Sequence, residues 1–174
     1  MEGLETLTQT LGRRVLLFNP PLIDGVAFTR QGRCQEREEV LGTTKPPYSL
    51  AVLAAILREK GVEFRLVDQT AERLSTGQLI DRLKADGYEP TLLVFCSATP
   101  TLDADVAEAR KLKAAFGAPL VCFGPHASAA PAASMARAPD VDAMIVGEPE
   151  DAVLQLTGLA SFDEADRIDS LTIR

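Results

Sequence analysis

Basic charge is in short supply: 18 Lys and Arg residues stand against 25 Asp and Glu, a net charge of −7 over 174 residues. A nucleic-acid partner is therefore not expected, because phosphate contacts need a basic surface. A small anion held by backbone amides stays possible. No run approaches the ~18 apolar residues of a membrane span. The start, "MEGLETLTQTLGRR", lacks the basic and apolar regions of a signal peptide, so a cytoplasmic protein is expected. The three cysteines, Cys34, Cys96 and Cys122, are odd in number and widely spaced. They make neither a disulfide framework nor a local zinc or iron–sulfur motif. Cys96 and Cys122 lie in apolar runs and read as buried; Cys34 sits in a polar loop and reads as reachable.

What is present is ordinary for a globular domain: 46% hydrophobic and 25% charged residues in a chain long enough for a real core. Apolar runs alternate with helical patterns. Strands are predicted at about 13–19, 63–68, 91–96, 118–124 and 143–148. The helix at about 47–60 has Pro46 and Pro47 at its entry, an apolar face of Leu50, Leu53, Ala54 and Leu57, and Gly61 as its stop. A second helix, capped by Thr76, faces Leu79, Ile80 and Leu83 inward and ends at Gly87. The third starts at a Thr101 cap and carries Asp103 and Asp105 in its first turn, where they suit the macrodipole. Short helices are expected at "PAASMARA", from Pro131, and at "PEDAVLQL".

The strands are continuous apolar runs, as in a parallel sheet covered on both faces. The expected class is a doubly wound, flavodoxin-like α/β fold: five parallel strands in the order 2-1-3-4-5 with helices on both faces. The six-strand dinucleotide-binding order is the alternative. Residues 1–12 read as an N-terminal extension and 13–157 as the domain. The last segment, 158–174, ends in "SLTIR", which is either a sixth edge strand, a frayed tail or the start of something further.

Ligands of such folds sit at the carboxyl ends of the strands. Those ends read Asn19-Pro20-Pro21, Asp68-Gln69-Thr70, "SATPT", "GPHAS" and "GEPE". Ser97 and Thr99 bring hydroxyls to the mouth beside a helix start with free amides; helix capping by Thr101 and turn formation by Ser97 explain the same residues. Gly124 before Pro125 allows a close backbone approach, or forms a plain turn. His126 is the only histidine, the side-chain type most often used as an acid–base group, though a lone loop histidine is usually structural. Glu148 and Glu150 flank Pro149 at a helix start, where acids serve the dipole. Asp68 stands where a dinucleotide fold places a ribose-binding acid, but "NPPLIDG" carries no glycine fingerprint, and no P-loop lysine follows. The mouth is thus broad, small-residue and nearly neutral, better suited to holding a large cofactor than to chemistry alone. The loop from about Leu22 to Lys45 far exceeds the usual ~2–6 residue connection.

Taken in order, "VLLFNPP", "GRCQ", "PPYSLAVLAAILREKG", "LVDQTAE", "CSATPT", "FGPHAS" and "PDVDAMIVGEPED" resemble the N-terminal cobalamin-binding domain of cobalamin-dependent radical S-adenosylmethionine (SAM) enzymes. The resemblance covers some 130 residues. It implies that the long loop and the step Pro46-Pro47-Tyr48 shape the cavity around the corrin. Ser97, Ala98, Thr99, Gly124, Pro125 and Gly147 would line a slot for the cofactor's nucleotide tail. Asn19, Pro20, Pro21, Asp68, His126 and Glu148 would complete the cofactor-binding edge.

Better-known cobalamin carriers place Asp-x-His-x-x-Gly after the first strand, with the histidine on cobalt. Here Asn19 to Asp24 contains no histidine, so the resemblance implies water or no lower ligand. The radical enzymes hold a [4Fe-4S] cluster on Cys-x-x-x-Cys-x-x-Cys, which this sequence lacks. By that resemblance the chain binds cobalamin without cleaving SAM. It is either the front of a longer methyltransferase acting on an unactivated carbon or a free-standing carrier. In either case a radical SAM domain, C-terminal or on a partner chain, would supply SAM and the cluster. "SLTIR" resembles the connector to that domain. Two other classes remain. A non-catalytic flavodoxin-like regulatory domain would need an acidic pocket after strand one, and a mononucleotide or sugar-nucleotide enzyme half would need a glycine-rich first loop.

Overall fold

A computed structural model describes residues 14–30 and 45–174. Cys34, the "GRCQ" stretch, most of the long loop and the N-terminal extension lie outside the described residues. The elements are β1 (Arg14–Asn19), α1 (Tyr48–Glu59), β2 (Glu63–Asp68), α2 (Gln69–Glu72), α3 (Thr76–Ala85), β3 (Leu92–Cys96), α4 (Leu102–Phe116), β4 (Leu120–Phe123), α5 (Pro125–Ala129), α6 (Pro131–Arg137), β5 (Ala143–Ile145), α7 (Pro149–Gly158) and β6 (Leu171–Ile173), with a 3₁₀ turn at Phe162–Arg167.

The strand order is β2-β1-β3-β4-β5-β6. The first five strands are parallel, in the order expected of a flavodoxin-like sheet, and the six-strand dinucleotide-binding order is not formed. The expectation of five strands needs correction: β6 adds a sixth, antiparallel to β5 with Ala143 opposite Ile173. "SLTIR" is therefore an edge strand. The connection from β5 runs through α7 and the 3₁₀ turn and brings the chain back to the carboxyl edge, so that Leu171 starts opposite Ile145 and β6 runs down the sheet beside β5. The segment 158–174 thus contributes structure to the sheet itself.

Continuous apolar strands have both faces covered, and alternate residues serve each. Leu16, Phe18, Leu93, Phe95, Leu120, Cys122 and Met144 face a core shared with Leu79 and Leu83 of α3, Val106 and Leu112 of α4, and Met135 of α6. Val15, Leu17, Leu92, Val94, Val121, Phe123 and Ile145 face Leu50, Leu53 and Leu57 of α1 and Val153 and Leu156 of α7. The predicted inward face of α1 is the buried one. Phe18 and Phe95 stack across neighbouring strands at 5.4 Å, and both are fully buried.

Two helix starts differ from expectation. Ser75, not Thr76, caps α3: it forms a reciprocal capping box with Gln78, and Thr76 is the first helical residue. Thr101 stands at the cap position of α4 but makes no side-chain cap bond; its hydroxyl folds back on the Ala98 amide and carbonyl. The short helices α2 and α5 were not anticipated. Among the described residues no helix is long and apolar enough to cross a membrane.

Truncating the stacked pair will be expensive: Phe95→Ala is expected to cost about 3–5 kcal/mol of unfolding free energy, the usual penalty for emptying a buried aromatic site. Ser75→Ala should cost only about 1 kcal/mol, through loss of a cap. Urea denaturation followed by circular dichroism measures both.

Candidate cofactor site

The carboxyl ends of the parallel strands gather the predicted residues on one edge, but not in equivalent settings. Five residues of the outer rim reach solvent. Tyr48, at the entry of α1, is 71% exposed, and Val146, just past β5, is 37% exposed. Thr99, Gly147 and Glu148 are exposed beside them. Pro47 and Pro125 are half-buried behind this rim. Tyr48 is held out by the proline step, because Pro47 occupies the cap position and its carbonyl accepts the Ala51 amide.

Beneath the rim lies a second group whose polar atoms are already engaged. Asn19, at the end of β1, donates to Asp68 Oδ1 at 2.8 Å. The same oxygen accepts the Ala71 amide, so Asp68 acts as the cap of the one-turn helix α2. Pro20 is buried, and its carbonyl accepts from the Thr70 hydroxyl at 2.7 Å; Pro21 is half-buried. Ser97 and Ala98 are buried. The Ser97 hydroxyl donates to Asp105 Oδ2 at 2.8 Å rather than pointing to the mouth.

Gly124 explains itself locally. Its φ is +130°, and a Cβ there would lie 2.2 Å from the Ser97 carbonyl oxygen. Ser97 N–H donates to the Phe123 carbonyl, so the ladder between β3 and β4 runs up to this point. The close approach that the sequence suggested at Gly124 is to the protein's own backbone. Gly147 differs: its φ is +88°, and a Cβ would meet nothing within 4 Å. Its amide donates to the Ser128 hydroxyl at 3.0 Å. It leaves open space at the end of β5.

His126, in the first turn of α5, pairs through Nδ1 with the Thr99 hydroxyl at 3.1 Å. Its Nε2 is buried with no hydrogen-bond partner. An orphaned ring nitrogen at a ligand-facing edge calls for a partner that the protein does not supply. Among the described residues no group of His, Cys, Asp and Glu could hold a metal ion. Asp24, which a regulatory receiver pocket would require near β1, instead sits in an exposed Asp-Gly hairpin turn between Ile23 and Val26.

The residue that reading the sequence missed is Arg30. It is 2% exposed and lies flat against Asp105: Nε is 2.9 Å from both carboxylate oxygens, and Nη2 is 2.8 Å from Oδ1. Nη2 also donates to the Pro21 carbonyl at 3.0 Å, and Nη1 reaches Thr70 Oγ1 at 3.4 Å. Asp105 therefore does not serve the helix dipole as expected. Burial pushes its carboxyl up, against the pull of Arg30 and the hydroxyls of Thr101 and Ser97. A signal for this was available. Leu102, Asp105, Ala109 and Leu112 follow the buried stripe of α4, and a carboxylate on that stripe demands a partner.

Cys96 belongs to the same cluster. Its thiol donates to the Arg30 carbonyl at 2.8 Å. Burial, aided by the nearby Asp105 charge, pushes it up to about 12. Cys122 is also pushed well above its usual value by burial.

With this geometry in place, the family model described as the B12 binding domain matches residues 39–157. The chain belongs to the B12-binding domain family. Cobalamin is the cofactor that membership brings, and an open neutral rim with an orphaned nitrogen fits it. Over 139 residues the chain is 30% identical to an uncharacterized methyltransferase of Pyrococcus horikoshii, an alignment covering 79% of this chain and 27% of that protein. Its fold matches the radical SAM methyltransferase TsrM of Kitasatospora setae. The structure of TsrM with cobalamin and a [4Fe-4S] cluster bound gives a TM-score of 0.66 at 21% identity, covering 93% of this chain and 29% of that one. The structure with tryptophan substrate and the SAM analogue aza-SAM gives 0.66 at 20%, covering 92% and 28%. At such identity the likeness is one of fold. The chain spans under a third of the length of each of these relatives.

Two measurements test this description. Gly124→Ala should cost about 2–4 kcal/mol, since it combines backbone strain with a clash against an immobile carbonyl. Gly147→Ala should cost only about 1 kcal/mol, its strain alone. Denaturation midpoints give the order. In the native chain, Cys96 and Cys122 should resist iodoacetamide at mildly alkaline pH, because the thiolate is the reactive form. Both should label in urea, as read by peptide mass spectrometry.

Proposed function

We propose that this chain is the cobalamin-binding part of a radical SAM methyltransferase. The observation that carries the reading is a coincidence of place. The B12-binding match spans α1 to α7, and the edge where its strands end is the one that is open, small-residued and nearly neutral. Both relatives are methyltransferases by name, which supports extending the reading from cofactor to reaction.

In this reading Tyr48, Thr99, Gly147 and Glu148 form the rim that receives the cofactor, with Pro47, Pro125 and His126 behind them. His126 Nε2 is available to hydrogen-bond one of the cofactor's polar groups. Asn19, Pro20, Pro21 and Asp68 build the floor, while Ser97, Ala98 and Gly124 set the shape of the wall. The cofactor, when bound, supplies a cobalt-carried methyl group. The chain's own residues bind and orient it and shield it from water. SAM and the [4Fe-4S] cluster would be held by a separate domain, since this sequence has only three dispersed cysteines. The substrate would be an unactivated carbon presented from that side.

Titration with hydroxocobalamin and methylcobalamin, followed by absorption and calorimetry, tests the reading. Saturable binding with shifted bands is expected, and Thr99→Trp, which fills the rim without touching the core, should weaken it by about tenfold or more. Failure to bind, both by this chain and by one extended beyond Arg174, would overturn the reading.

A further inference from the structure

Arg30 lies outside every residue assigned to the cofactor so far, yet direct contacts lead from it to the mouth. In a sheet ordered β2-β1-β3, strand order reverses between β1 and β3, and ligands of doubly wound folds usually enter there. Here the guanidinium closes that crevice. Its bonds reach the Pro21 carbonyl after β1, Thr70 after β2 and Asp105 in α4 after β3. The Asp105 carboxylate is shared. One side holds Arg30, and Oδ2 also holds the Ser97 hydroxyl. Ser97 begins the turn that carries Thr99, and its carbonyl is the atom against which Gly124 is packed. Gly124 in turn leads into His126, the partner of Thr99.

We propose that Arg30 is a positioning residue for the cobalamin site. Through Asp105 it fixes Ser97, and with it the paired turns at Ser97–Thr101 and Gly124–His126. It also seals the switch-point crevice, so that the cofactor rests on the closed ends of β1 and β2 and reaches into the edge only at β3, β4 and β5. This rests on the cobalamin reading, and the guanidinium touches no cofactor atom itself. Asp105 is the relay, and a buried carboxylate held from two sides is a stiffer support for Ser97 than a hydrated one.

Removing Arg30 alone would leave a buried unpaired charge and risks unfolding the chain. Two double variants avoid this. Arg30→Met with Asp105→Leu removes both charges and also the acceptor of Ser97. Arg30→Met with Asp105→Asn removes both charges and keeps an acceptor. Both are made in the full 174-residue chain, and urea denaturation checks that they fold.

The first readout is hydrogen exchange without cofactor. The Leu variant should exchange about tenfold faster at 97–101 and 124–126, and the Asn variant should fall between it and the unaltered chain. The second is cobalamin affinity and absorption. The Leu variant should bind about tenfold or more weakly with altered bands, and the Asn variant should recover part of the loss. A merely structural ion pair would lower the denaturation midpoint and leave both readouts of the folded variants unchanged, which would overturn the proposal. If the unaltered chain, extended or not, takes up no cobalamin, the cofactor reading fails. The exchange data then still decide whether Arg30 organises these turns.

Discussion

A guanidinium sealed from water must have its hydrogens satisfied, and most of the carboxyl edge is arranged to satisfy one. Arg30 brings five donors into a space where water cannot serve them. Asp105 must therefore sit on the buried stripe of α4, the chain after β1 must offer a carbonyl, and α2 must bring Thr70 within reach. Thr70 is held in place by its own bond to Pro20, and α2 is held by Asp68, which Asn19 orients. Polar groups that read separately as ligand donors are thus parts of one network whose centre is a side chain.

That network explains why the edge divides into two zones. Toward β1 and β2 the polar residues are spent on each other, and the surface is closed by protein. Toward β4 and β5 the residues are small, exposed or lacking partners, and a large planar molecule meets few groups that would have to give up water. Such a division suits a cofactor that brings its own metal and its own reactivity. The protein contributes shape, with glycine where backbones touch and again where space is left.

Much of this was legible in the sequence. The strands announced themselves because a parallel sheet covered on both faces leaves no polar alternation to confuse. The α1 face was readable from Leu50, Leu53, Ala54 and Leu57. Proline and glycine marked the ends of elements, and the order of strand-end motifs pointed to the family. What was not legible depended on contacts between distant residues. Asp105 looked like a dipole partner because its neighbour Asp103 is one, and Arg30 is 75 positions away. Asp68 could not be read as a helix cap because α2, a single turn, is too short to leave a periodic signal. Gly124 was correctly expected to allow close approach, but only geometry shows that Ser97 is what approaches. Ser97 read as a ligand hydroxyl or a turn former, because nothing local reveals that its acceptor is Asp105.

The antiparallel β6 sets the direction of travel. β5 runs toward the mouth, and β6 runs away from it. Arg174 therefore lies at the far pole, bonded to carbonyls of Met135, Ala138 and Val141. A polypeptide continuing from there toward the cofactor edge would have to climb the full height of the sheet. That is roughly 20 Å for six extended residues, so the length and stiffness of such a tether would set how closely anything attached could be held over the corrin.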